Sequence, residues 1–244
     1  MKIGIIECGT NRPEWAAYGS FGSWFPPLLA QAGVPMDYAF FHAPDGKLPD
    51  DPSVCDAWLL TGSPASTYDN APWQRRLSAF LDQVIGRQPV IGICYGHQHL
   101  HQMLGGTVEK VPDWGVGIHH YALKQRPDWL PDTLAQESSG GFHLIALHQD
   151  QVTTLAEGST VLAASDFCPA AVTTIGDDVL TFQPHPEMAP AFAAEVYEFE
   201  RQRIGNADAD RALAELDGPR NVALAARWMV AFLQSRLNRR QHHD

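Results

Sequence analysis

Three residues in this chain have types and spacing that could do acyl-transfer chemistry. Cys94 lies in PVIGICYGHQ, between Gly92 and Gly96. The apolar run Pro89 to Ile93 reads as a short buried strand, and a helical stretch follows Gly96. A cysteine at such a corner sits at a helix N-terminus, where unpaired N–H groups favour a negatively charged sulfur. Small neighbours let the turn form and let a substrate approach. Ninety-one residues on comes QPHPE, with His185 and Glu187, after the apolar run Asp178 to Phe182. A cysteine nucleophile needs a base to move its proton, and the base needs an acceptor that sets its tautomer. Residues two apart on an extended segment point to the same side, so Glu187 can reach the imidazole. Pro184 and Pro186 stiffen the backbone around it. Taken singly, each motif has a plain reading. A lone free cysteine is usually a buried core residue, and H-P-E alone also suits a surface turn.

Attack on a carboxamide would create a tetrahedral oxyanion that needs preorganised N–H donors. One donor follows from the elbow itself, the N–H of Tyr95. The Gly62–Ser63 turn ends the apolar run Ala57 to Leu60, and on its own Gly-Ser-Pro is common turn chemistry. Gln98 lies one helical turn past Cys94, so both can border one pocket.

Together these segments resemble the class I, triad-type glutamine amidotransferase family, in a form similar to the glutaminase of GMP synthase. AWLLTGSPAST (57–67) is similar to its oxyanion strand and loop, and Gly105–Gly106 to its turn after the nucleophile helix. WGVGI (114–118) and HQDQV (148–152) also stand in family order. The resemblance runs from about residue 1 to about 190. It implies a flavodoxin-like, three-layer α/β fold with a mostly parallel central sheet, flanking helices and antiparallel additions. It implies a Cys94–His185–Glu187 site, with Ser63 as the better second oxyanion donor and Gly62 giving the turn its freedom. Gln98, Gln149 and Asp150 would hold the substrate's amino-acid head group, the last two mainly through backbone, with Trp114–Val116 near the pocket. No metal or organic cofactor is implied. One departure is Pro184, where the family often carries an apolar aromatic.

The elements that must position these groups follow from the patterning. Lys2–Glu7, Met36–Phe41, Ala57–Leu60 and the run into Cys94 read as strands. Trp24–Ala32, Pro72–Gly86 and Gly96–Leu104 read as helices between them, the mark of a parallel sheet with covering helices. Asn11–Ser23 is a loop rich in Gly, Pro and aromatics. Beyond Gly106 the rhythm changes to short strands: Thr107–Val111, Gly117–Lys124, Phe142–Leu147, Thr160–Ser165, Ala170–Ile175 and Val179–Phe182. Two terminal helices are expected within about 189–238, joined by an Asp-rich linker or short helix at 206–217. The whole of 1–244 is expected to form one domain.

Composition narrows the function. Hydrophobic residues make up 45% of 244, enough for a full core, and the net charge is −11. Nucleic-acid binding needs clustered Lys and Arg, and the basic cluster near the tail, Arg239–Arg240, reads as a solvated end. Cys8, Cys55, Cys94 and Cys168 are widely spaced without a C-x-x-C, and Met1 runs straight into a strand with no secretory leader. Free thiols in a reducing cytoplasm are therefore expected. No apolar run approaches the ~18 residues of a membrane span. His97, His99, His101, His119 and His120 fit no known zinc frame and read as solvated or core histidines.

The expected activity is hydrolysis of the γ-glutamyl amide of glutamine through a Cys94 thioester, giving glutamate and ammonia. With no fused synthase in this sequence, a free-standing chain is expected, whose ammonia a separate synthase could use. The same triad could instead cleave γ-glutamyl peptides or amines. A catalytically silent regulatory module is the third reading, and the intact triad argues against it.

Overall fold

The computed structural model describes residues 1–240. Its strands are β1 (Lys2–Glu7), β2 (Asp37–His42), β3 (Ala57–Leu60), β4 (Val90–Ile93), β5 (Thr107–Leu123), β6 (Phe142–Thr154), β7 (Ser159–Ala164), β8 (Val172–Ile175) and β9 (Val179–Phe182). Its helices are α1 (Phe25–Leu29), α2 (Pro72–Val84), α3 (Tyr95–Met103), α4 (Asp132–Glu137), α5 (Pro190–Phe199), α6 (Arg201–Ile204), α7 (Asn206–Glu215) and α8 (Val222–Arg240). The strands join in the order β2-β1-β3-β4-β9-β8-β7-β5-β6. The first five are mutually parallel, and the remainder are added antiparallel. This is the expected α/β fold.

Strand alternation divides the core into two layers. Ile3 and Ile5 of β1 and Leu59 of β3 face α1 and α8, meeting Phe25, Leu28, Trp228 and Phe232. Ile6, Trp58 and Leu60 face α2 and α3, meeting Leu77, Phe80, Leu81 and Leu100. Each such side chain, fully buried, contributes about 1.5–3 kcal/mol before entropy is counted. α2 keeps the expected helical stripe, with Pro at its first turn.

The second half departs from the expected short strands. The two runs expected at 107–111 and 117–124 are one continuous strand, and the run expected to stop at Leu147 continues to Thr154. The β5–β6 pairing shifts register between Lys110 and Gly115, so Val111 to Trp114 form a bulge. Pro112 and Asp113 in that bulge hide the continuity, because both are poor strand formers. The Asp-rich 206–217 stretch is the helix α7, docked on β5. Among the described residues no helix is long and apolar enough to cross a membrane.

Candidate active site

The parallel pairing of β4 and β9 brings the two sequence motifs together. Ile93 is level with Phe182, and the Cys94 N–H donates to the Phe182 carbonyl at 2.7 Å. Cys94 and the QPHPE segment therefore leave the sheet side by side. Past β9, the His185 N–H bonds to the Ile145 carbonyl at 2.9 Å in an antiparallel bridge to β6. That bridge holds the base on a backbone rather than on a free loop.

Cys94 has φ 49° and ψ −100°, one of two non-glycine residues with positive φ among those described. A branched or bulky side chain would be strained there. The flanking glycines are required by close approach. A Cβ on Gly96 would lie 2.7 Å from Leu60 Cβ, and one on Gly92 would lie 2.7 Å from the Gly96 carbonyl. The turn thus packs nucleophile helix directly on strand. The Cys94 thiol has the Leu147 carbonyl at 3.9 Å.

His185 Nδ1 lies 2.7 Å from Glu187 Oε1, with both side chains at most 5% exposed. Burial alone would lower the affinity of this imidazole for a proton. The charges of Glu187 and Cys94 outweigh it, holding His185 well above the usual histidine range. His185 Nε2 is buried without a hydrogen-bond partner. Gly62 passes close to both groups: a Cβ there would stand 3.1 Å from His185 Cε1 and 3.8 Å from Cys94 Cβ. Among the described residues the Ser63 N–H finds no acceptor, while its Oγ accepts from the Ala65 N–H at 3.1 Å. The Tyr95 N–H, first in α3, has no intrahelical acceptor.

Gly62, Ser63, Cys94, Gln98, Gln149, Asp150, His185 and Glu187 all line one cavity of about 250 Å3. Tyr95 is the exception. Its side chain is fully buried on the far side, near His99 and Trp73, so only its backbone can serve the cavity. Gln98 Nε2 donates to the Asp150 carbonyl at 2.8 Å and to Gln183 Oε1 at 3.1 Å, leaving its own carbonyl oxygen for the cavity. The Asp150 carboxylate accepts from Ser66 Oγ at 2.6 Å and from the Tyr68 hydroxyl at 2.9 Å. It therefore clamps the loop after β3 onto β6. Gln149 Nε2 donates to the Pro112 carbonyl at 3.3 Å, on the β5 bulge. Gln149 and Asp150 belong to β6.

Two parts of the site had no reading in the sequence. Gln183 is the buried partner of Gln98, and its position as the first residue of QPHPE was its only signal. The other is an aromatic wall built by Trp15, Phe21, Trp24 and Phe192, which Trp114, expected near the pocket, joins. Its signal was the unusual run of aromatics in 15–24. The stretch expected as a loop there is two short 3-10 turns, anchored by Glu7 Oε1 accepting from the Gly22 N–H at 2.9 Å.

The α3 histidines are core residues. His97 Nδ1 lies 2.7 Å from Thr181 Oγ1, His101 Nε2 2.9 Å from Thr173 Oγ1, and His99 Nε2 3.1 Å from Ser78 Oγ. Among the described residues no group of three His, Cys, Asp or Glu is arranged to hold a metal ion.

A cysteine on a strand-to-helix elbow beside a His–Glu pair is the nucleophile-elbow geometry of α/β proteins. The family model described as "Glutamine amidotransferase class-I" matches residues 17–201, and the chain belongs to that family. It is 28% identical over 177 residues to "Gamma-glutamyl peptidase 3" of Arabidopsis thaliana, covering 70% of each chain. It is 34% identical over 169 residues to a "GMP synthase [glutamine-hydrolyzing]" of Porphyromonas gingivalis, a match that takes in 69% of this chain and 32% of the longer synthase. A solved "glutamine amido transferase from Methylobacillus Flagellatus" shares the fold at a TM-score of 0.73 and 23% identity, covering 98% of this chain and 94% of that one.

Proposed function

We propose that this protein hydrolyses the γ-glutamyl amide of glutamine through a thioester on Cys94. The observation that carries this is the convergence of the Cys94 elbow, the 2.7 Å His185–Glu187 pair and the Gly62–Ser63 turn on one cavity. Cys94 Sγ, its proton passed to His185, attacks the γ-carbonyl carbon and forms a C–S bond. The N–H groups of Ser63 and Tyr95 receive the oxyanion. The tetrahedral intermediate collapses, the C–N bond breaks, and His185 gives its proton to the departing ammonia. Water then adds to the thioester, His185 takes its proton, and the C–S bond breaks to release glutamate and the Cys94 thiolate. Glu187 holds His185 in the tautomer that presents Nε2 to the sulfur and stabilises the imidazolium. Gln98, Gln149 and Asp150 hold the amino-acid end of the substrate. The ammonia can be consumed by a separate synthase.

A second reading has its own support. Cleavage of γ-glutamyl peptides or amines uses the same thioester, and the cavity extends along an aromatic wall that ammonia would not need. The γ-glutamyl peptidase relative matches over 70% of its own length, against 32% for the synthase. Glutamate release from glutamine and γ-glutamyl conjugates tests both. Cys94→Ala is expected to abolish release from every substrate and keep the fold. Full activity in that variant would refute the thioester route.

A further inference from the structure

The aromatic wall is an organised structure. Phe192 of α5 is its centre, with ring centroids at 4.7 Å from Trp24, 5.5 Å from Trp15 and 6.5 Å from Phe21. Trp24 Nε1 donates to the Tyr18 carbonyl at 2.6 Å, and Asn11 Nδ2 ties the Trp15 and Gly19 carbonyls at 3.0 and 3.1 Å. These bonds hold the rings before any ligand arrives. Phe21 also reaches the catalytic turn, since a Cβ on Gly9 would touch Phe21, Ser63 and Pro64 together. The lining of the cavity that holds Cys94 thus has a polar end, with Gln98, Gln149 and Asp150, and an aromatic end, whose Phe21 meets the catalytic turn.

The rim of the aromatic end carries Arg203 beside Glu200. Arg203 lies 5.1 Å over the Trp114 ring, with one Nη on Glu200 at 2.9 Å, and its side chain is 59% exposed. Its other N–H groups remain available. Lys110, exposed at the cavity edge, lies across from Asp150 in the β5–β6 pairing and so belongs to the polar end. Arg12 covers the outer faces of Trp15 and Phe199. With guanidinium groups already on these ring faces, a cationic amine would meet like charge. An uncharged ring with a carboxylate beyond it would find apolar surface and then the Arg203 guanidinium.

Building on the thioester reading, we infer that the aromatic end is a leaving-group subsite. Its substrates are γ-glutamyl conjugates of α-amino acids bearing a large apolar or aromatic side chain. The glutamyl head group lies at the polar end, the departing side chain against Trp24 and Trp15, and its carboxylate at Arg203. Thioester formation then releases the free amino acid, its nitrogen protonated by His185, and water completes the cycle to glutamate.

The test is steady-state glutamate release by the full chain. Its substrates are glutamine, γ-glutamyl-alanine, γ-glutamyl-phenylalanine and γ-glutamyl-phenethylamine, which lacks the carboxylate. The phenylalanine conjugate should exceed each of the others in kcat/KM by about 10-fold or more, since even one methylene in an apolar pocket can be worth that. Trp24→Leu should shrink its advantage over the alanine conjugate. Arg203→Gln, at a side chain too exposed to threaten folding, should shrink its advantage over phenethylamine. Equal turnover of the alanine and phenylalanine conjugates, both lost in Cys94→Ala, would overturn the subsite and leave the thioester reading standing. Glutamine as the preferred substrate would do the same. No release from any substrate would overturn both.

Discussion

Two sets of buried histidines in this fold hold their protons in opposite ways. His185 is buried beside a carboxylate and a cysteine, and its proton affinity is raised although burial opposes it. His97, His99 and His101 of α3 are buried against hydroxyls, and burial lowers them, to about 4 for His99 and His101. His148, at the cavity, is lowered to about 3 by burial and by the charges of His119 and His185. Depth alone does not make a histidine a base. A charged partner does, because it repays the desolvation that a hydroxyl cannot. The cysteines divide similarly: burial raises Cys8, and Cys168 to about 12, and neither borders the cavity, whereas Cys94 lines it on a strained backbone.

The largest break of this contrast is Glu187→Gln. It keeps the shape but removes the charge, so His185 should join the neutral class. Glutamate release should fall by about 10^3-fold or more, as expected when the orienting carboxylate of a triad is lost. The histidine proton, followed by NMR, should be released at lower pH than in the native protein. Unchanged kinetics would mean that His185 does not depend on Glu187.

How much of this could be read from the sequence depended on range. Cys94, His185 and Glu187 were legible because each motif is local and its chemistry needs particular residue types. The parallel half of the sheet was legible because β1, β3 and β4 are short apolar runs separated by helical patterning. The β5–β6 pair was not, since Pro112 and Asp113 in the bulge break the alternation that marks a strand. The Asp150 clamp on Ser66 and Tyr68 spans more than eighty residues and leaves no local pattern. The aromatic wall was visible only as composition. Its common focus, Phe192, lies far along the chain and needs the fold to collect the rings.

A smaller effect sharpens the other side of the contrast. Thr181 Oγ1 joins His97 Nδ1 at 2.7 Å and Thr173 Oγ1 at 2.6 Å. Thr181→Val leaves both without that partner and should cost about 1–3 kcal/mol of unfolding free energy. Urea denaturation measures this, and an unchanged midpoint would show that the hydroxyl layer is not structural.

The smallest effect is on pH dependence. The α3 histidines and His148 have folded values below the unfolded ~6.5. Their contribution to stability is present above that pH and is lost as pH falls toward about 4 and 3. His185 has the opposite sign, contributing below about 6.5 and losing its contribution as pH rises through its raised folded value. His99→Gln should therefore lose less stability between pH 7 and pH 5 than the native protein. Parallel pH curves for the two would contradict the neutral state of His99.

On the proposed route Cys94, alone among four buried thiols, accepts the acyl group. Intact-mass and peptide mapping after incubation with a glutamine-like chloroketone addresses this directly. One adduct per chain, on Cys94 and lost when glutamine is present in excess, is the predicted result. Labelling of Cys8, Cys55 or Cys168 with Cys94 unmodified, in a protein that still releases glutamate, would contradict it.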